Sequence, residues 1–116
     1  MTPAQRSQIV EADLVELRNQ LAITPAQQTQ WEAFAKMTHD NATQLHDRFR
    51  ERTQNFARIN AADNMADYAT ISELHAVQLR RLAGSFQTLY ATLSPEQKVR
   101  ADKALRDRRT PGAAPG

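Results

Sequence analysis

Two histidine–aspartate pairs, His39-Asp40 and His46-Asp47, stand seven residues apart, and imidazole beside carboxylate is the chemistry of a divalent-metal site. The spacing argues against one shared ion. Seven helical residues span roughly 10 Å, whereas two nitrogens on one zinc must each lie about 2 Å from it. His39, His46 and His75, with Asp40, Asp47 or a partner chain, are therefore only weak candidates for a metal site, and no cofactor is expected. His75, set among Ile71, Leu79 and Leu82, reads better as a core histidine bonded to a neighbour. The chain has no cysteine, which excludes disulfides, thiolate ligands and a thiol nucleophile. It also lacks a nucleophile elbow, a phosphate-cradling glycine loop and a zinc-protease helix motif, so no enzyme is expected. Trp31, Tyr68 and Tyr90 fall on or beside helical stripes, where packing explains them. Arg106, Arg108 and Arg109 suit the C-terminal end of a helix dipole better than a nucleic-acid patch. The net charge of +2 does not demand a polyanionic partner.

The elements that carry these residues are helices. Of 116 residues only three are glycine, and the body is rich in Ala, Leu, Gln, Glu and Arg, a composition that favours helix over strand. The length fits one domain, read here as residues 3–109 with a disordered tail over 110–116. No apolar run is long enough to span a membrane, so no membrane insertion is expected.

A phrase that begins a helix occurs twice, as Ile23-Thr24-Pro25-Ala26-Gln27 and as Leu93-Ser94-Pro95-Glu96-Gln97. Thr24 or Ser94 suits the N-cap, Pro25 or Pro95 the first helical position, and Gln27 or Gln97 can reach back to close a capping box. Thr2-Pro3-Ala4-Gln5 repeats the device at the start of the chain. Periodicity then predicts four helices. The first runs from about Pro3 to Leu21 on Val10, Leu14, Leu17 and Leu21. The second runs from Pro25 to about Ile59 on Trp31, Phe34, Ala35, Thr38, Ala42, Leu45, Phe49 and Phe56, with a bend or change of partner near Arg52.

Asn60-Ala61-Ala62-Asp63-Asn64 reads as a turn in which Asp63 or Asn64 caps the next helix. That third helix is expected from about Met65 to Thr92, on Tyr68, Ile71, His75, Leu79, Leu82, Phe86, Leu89, Tyr90 and Leu93, weakened locally at Gly84. The fourth runs from Pro95 to about Arg108, where Val99 and Leu105 supply little apolar surface. The second and third must form an antiparallel hairpin with the first alongside. Its thin core, together with Met37, Leu74 and Val77 lying outside the main stripes, predicts a homodimer.

The two phrases and the apolar residues around them, Leu21 to Trp31 and Leu89 to Asp102, resemble the LTXXQ-motif family of exported bacterial proteins that includes Spy and CpxP. The resemblance covers roughly residues 10–107 and includes Trp31, four residues after Gln27. Ile23 stands where the motif has Leu and Ser94 where it has Thr, and both replacements keep the physical role.

The resemblance implies an all-α, cradle-like intertwined dimer whose concave face holds unfolded proteins without ATP in the envelope stress response. On that implication Met37, Arg48, Leu74, Val77 and Arg81 are the client-surface candidates, because Arg stems cover apolar surface while their heads meet acidic groups. It also implies a periplasmic location. Met1-Thr2-Pro3-Ala4-Gln5 lacks the regions of a secretion signal, so Met1 is read as the start of a form from which the signal peptide has been removed. A metal-sensing or signalling module of the same compartment is the second reading, and a cytoplasmic helical adaptor the third.

Overall fold

Each of the first, third and fourth helices starts where a side chain satisfies a free amide of its first turn. A computed structural model describes residues 2–108, which form an all-α fold of α1 (Pro3–Leu21), α2 (Gln28–Asn55), α3 (Ala61–Ala91) and α4 (Pro95–Arg108). The expected tail 110–116 and Arg109 lie outside the described residues. Thr2 caps α1 in a full capping box: its amide donates to Gln5 Oε1 at 2.7 Å, and the Gln5 amide donates to Thr2 Oγ1 at 3.1 Å. Ser94 does the same for α4 with Gln97, at 2.8 and 3.1 Å. α1 stops at Ala22, which takes the left-handed conformation (φ 53°) and turns the chain toward the first motif copy.

Two boundaries differ from the periodicity reading. Pro25–Gln27 is a 3-10 turn, and α2 begins only at Gln28. Asn60 is the N-cap of α3, its side chain accepting from the Asp63 amide at 2.8 Å. Ala61 to Asn64 are therefore helical, and neither Asp63 nor Asn64 is the cap. Once Asn60 is used as the cap, Asp63 falls in the first turn, where its carboxylate suits the dipole. α2 is helical through Arg52. It continues to Asn55 and tightens into a 3-10 turn over Phe56–Arg58.

The apolar core sits at the end of the hairpin that carries both motif copies. Leu14, Leu17 and Leu21 of α1 meet Trp31 and Phe34 of α2, Leu89 of α3, Leu93, and Ala101 and Ala104 of α4. Leu21 and Leu89 are fully enclosed, each stabilising the fold by about 1.5–3 kcal/mol. Trp31, Phe34, Phe86 and Tyr90 form a chain of tilted aromatic contacts, with centroids 5.7, 5.3 and 6.2 Å apart. The face of α4 is Gln97, Ala101, Ala104 and Arg108, while Val99 and Leu105 are exposed. The small alanines let α4 lie close on the core.

Beyond this core the hairpin is held mostly by polar groups. The chain measures 53 × 31 × 25 Å with a radius of gyration of 16.8 Å, against about 13 Å for a compact chain of this length. Along the outer hairpin Ile71 is the one buried apolar side chain among the described residues. Tyr68, Leu79 and His75, expected on the inner stripe of α3, are exposed, while Leu74 and Gln78 turn inward. The inner face follows Ile71, Leu74, Gln78 and Leu82, a run that the buried glutamine conceals from a hydrophobicity count.

Candidate functional site

The two motif copies meet. Gln27 and Gln97 are both buried, and their side-chain amides bond each other reciprocally, Gln27 Nε2 to Gln97 Oε1 at 2.9 Å and Gln97 Nε2 to Gln27 Oε1 at 2.8 Å. Each oxygen also accepts from the cap amide of its own copy, Thr24 N at 3.1 Å and Ser94 N at 2.8 Å. The second proton of each Nε2 goes to the helix end that precedes the other copy. Gln27 donates to the Thr92 carbonyl at 2.8 Å, and Gln97 to the carbonyls of Leu21 and Ala22 at 3.1 and 3.0 Å. A buried amide is costly unless its donors and acceptor are paired. Here they are, and the helix ends receive partners from the same pair.

This clasp ties the open end of the hairpin, opposite the turn at residues 56–60, and the half toward that turn is polar inside. Gln78 Nε2 donates to Gln44 Oε1 at 2.8 Å and to the Asn41 carbonyl at 3.2 Å, and Asn41 returns a bond to the Gln78 carbonyl at 3.3 Å. Arg48 pairs with Asp67 across the hairpin. Arg52 reaches the Asn64 carbonyl at 2.8 Å and Asp67 at 3.5 Å. The hydrogen bond from Arg48, then its charge, then Arg52, hold the Asp67 carboxyl below its ordinary value of 3.8, against the opposing effect of burial. Periodicity alone missed Asp67, Asn41, Gln44 and Gln78. The spacing of Gln78, four residues from both Leu74 and Leu82, is the sequence signal that marks an inward glutamine.

Apolar surface also stays open at the edge of the core. Phe34, Leu79, Leu82, Ala83, Phe86 and Leu105 line an open apolar groove between α2, α3 and α4. Leu79 is 52% exposed. At the hairpin tip Arg52 lies between the rings of Phe56 and Tyr68, 5.8 and 5.3 Å from their centroids, beside Met65, which is 77% exposed. Tyr90 donates to Asp102 at 3.0 Å. That bond, with burial and the carboxylate charge, raises the Tyr90 pKa above its ordinary 10.0.

The client-surface candidates divide. Val77 and Arg81 are exposed on α3, Met37 and Leu74 are half-buried, and Arg48 is engaged by Asp67. The weak metal candidates are separated too. His39 Nε2 meets Ser7 Oγ at 2.8 Å, and His46 Nε2 meets Arg6 Nη2 at 2.6 Å, so both tie α2 to α1. His75, expected in the core, is exposed on α3 because the inner face of that helix passes through Leu74 and Gln78. Among the described residues no three His, Cys, Asp or Glu side chains gather as a metal site. No helix among them is long and apolar enough to cross a membrane.

Comparison with known proteins gives one family. The model of the LTXXQ motif family protein matches residues 9–105, most of the chain and both motif copies. No curated protein and no solved structure matches.

Proposed function

The chain belongs to the LTXXQ motif family, and from that premise we propose that it is an ATP-independent, periplasmic, Spy/CpxP-like chaperone that holds unfolded proteins during envelope stress. It works without a catalytic step, as a homodimer.

The observation that supports this reading is the apolar surface left open along the hairpin. Leu79, Leu82, Phe86 and Leu105 face an unfilled groove, and Val77 with Arg81 stands exposed on the same helix. Scattered apolar groups interleaved with flexible basic stems accept many sequences weakly, since no single pocket imposes a shape. The division of labour in the chain favours this use. The Gln27–Gln97 pair ties the core end, and toward the tip polar bonds of Gln78, Arg48 and Arg52 join the helices while Val77 and Leu79 stay exposed.

Light scattering tests the proposal. An equimolar amount of the protein should slow aggregation of a chemically denatured client, without ATP, and Leu79→Ser with Leu105→Ser should weaken the effect. Unchanged client aggregation would sink the reading. Sedimentation equilibrium at micromolar concentration should give the mass of two chains, and a monomer would remove the homodimer from it.

A further inference from the structure

The bond between Arg6 and His46 has a chemical direction. A guanidinium has only donors, so His46 Nε2, at 2.6 Å from Arg6 Nη2, must present its lone pair and carry its proton on Nδ1. The contact exists only while the imidazole is neutral. A proton at Nε2 would remove the acceptor and set two cations against each other.

The neighbouring contact behaves differently. His39 Nε2 meets the Ser7 hydroxyl at 2.8 Å, and a hydroxyl can donate to a lone pair or accept from an N–H. It survives protonation by turning round.

We propose that Arg6 and His46 form a proton-released latch, in which proton uptake at His46 Nε2 frees the first turn of α1 from α2 while Ser7 keeps its bond to His39. From Pro3 to Val10 only Arg6, Ser7 and Val10 are even half-buried, so little apolar area opposes the release. The rest of α1 stays anchored by Leu14, Leu17 and Leu21. The charged and titratable groups along this cleft are Arg6 from α1 and His39, Asp40 and Asp47 from α2. Asp40 is held by Lys36 at 2.6 Å and Asp47 by Arg50 at 3.6 Å, so both carboxylates already have cationic partners.

Hydrogen exchange of the α1 amides after Arg6, corrected for intrinsic rates, tests the latch between about pH 8 and about pH 5, the window in which imidazoles change charge. Protection in the unmodified protein should fall about tenfold, the size expected when a hydrogen bond to a charged group is lost. His46→Gln keeps an acceptor that does not titrate and should abolish the fall, whereas His39→Gln should leave it intact. An equal fall in His46→Gln, or none in the unmodified protein, would overturn the proposal. Nitrogen NMR of the ring gives a readout independent of folding, and a proton on His46 Nε2 at the alkaline end would also overturn it.

Discussion

Gln27 and Gln97, seventy residues apart in sequence, present their side-chain amides to each other as donor and acceptor in both directions, at 2.9 and 2.8 Å. The residue that closes each helix cap is thereby also a tertiary contact. Capping alone could be done by Glu, but a carboxylate lacks the Nε2 protons that reach Thr92, Leu21 and Ala22.

Replacing one glutamine leaves the other buried and short of partners. Gln27→Ala and Gln97→Ala should each cost about 2–3 kcal/mol, since a stranded buried polar group loses its full desolvation cost. The double variant should cost less than the sum, with a coupling of about 1 kcal/mol or more. Urea unfolding of the four proteins measures this, and additive losses would show that the pair acts only as two local caps.

Asp67 should make stability depend on acidity. Its carboxyl is held below 3.8 by Arg48 and then Arg52 in the folded state, so folding favours the ionised form. The contribution is complete above the ordinary value and is lost as pH falls through the lower folded one. Asp67→Asn should flatten this acid limb in urea midpoints. It should also loosen the hairpin at neutral pH, because both arginines lose their carboxylate partner on α3.

Two backbone positions carry residues suited to the opposite conformation. Gly84 lies within α3 with open space where a Cβ would stand, so Gly84→Ala should add about 0.5–1 kcal/mol through helix propensity. Ala22 holds a left-handed conformation, and Ala22→Gly should relieve up to about 1 kcal/mol. Both gains should appear as higher unfolding midpoints.

The joint between α2 and α3 depends on Asn60, whose side chain accepts from the Asp63 amide. Asn60→Ala should cost about 1 kcal/mol. Asn60→Ser should recover most of it by restoring a capping oxygen. Asp63→Ala, which leaves that cap in place, should cost less than Asn60→Ala. Thermal melts of the three variants separate a cap at Asn60 from one at Asp63.

Local pattern was enough to place the starts of α1 and α4 and to predict two long helices folded as a hairpin, whereas the starts of α2 and α3 fell elsewhere. Capping residues and a period of 3.6 act within a few residues of where they stand, so Thr2, Ser94 and the stripe through Leu14, Leu17 and Leu21 declare themselves locally. It also carried the family, because Gln27 and Gln97 sit three residues after their caps in both copies. The partners those side chains take follow only from how the helices pack. Gln27 and Gln97 read as two separate caps until α1, α3 and α4 bring them together. His75 reads as core until Leu74 and Gln78 take the inward positions, and Arg48 reads as free until Asp67 faces it across the hairpin. Partner choice between distant segments is set by packing geometry, and local pattern cannot encode it when a glutamine or an alanine occupies the buried position that a leucine would have announced.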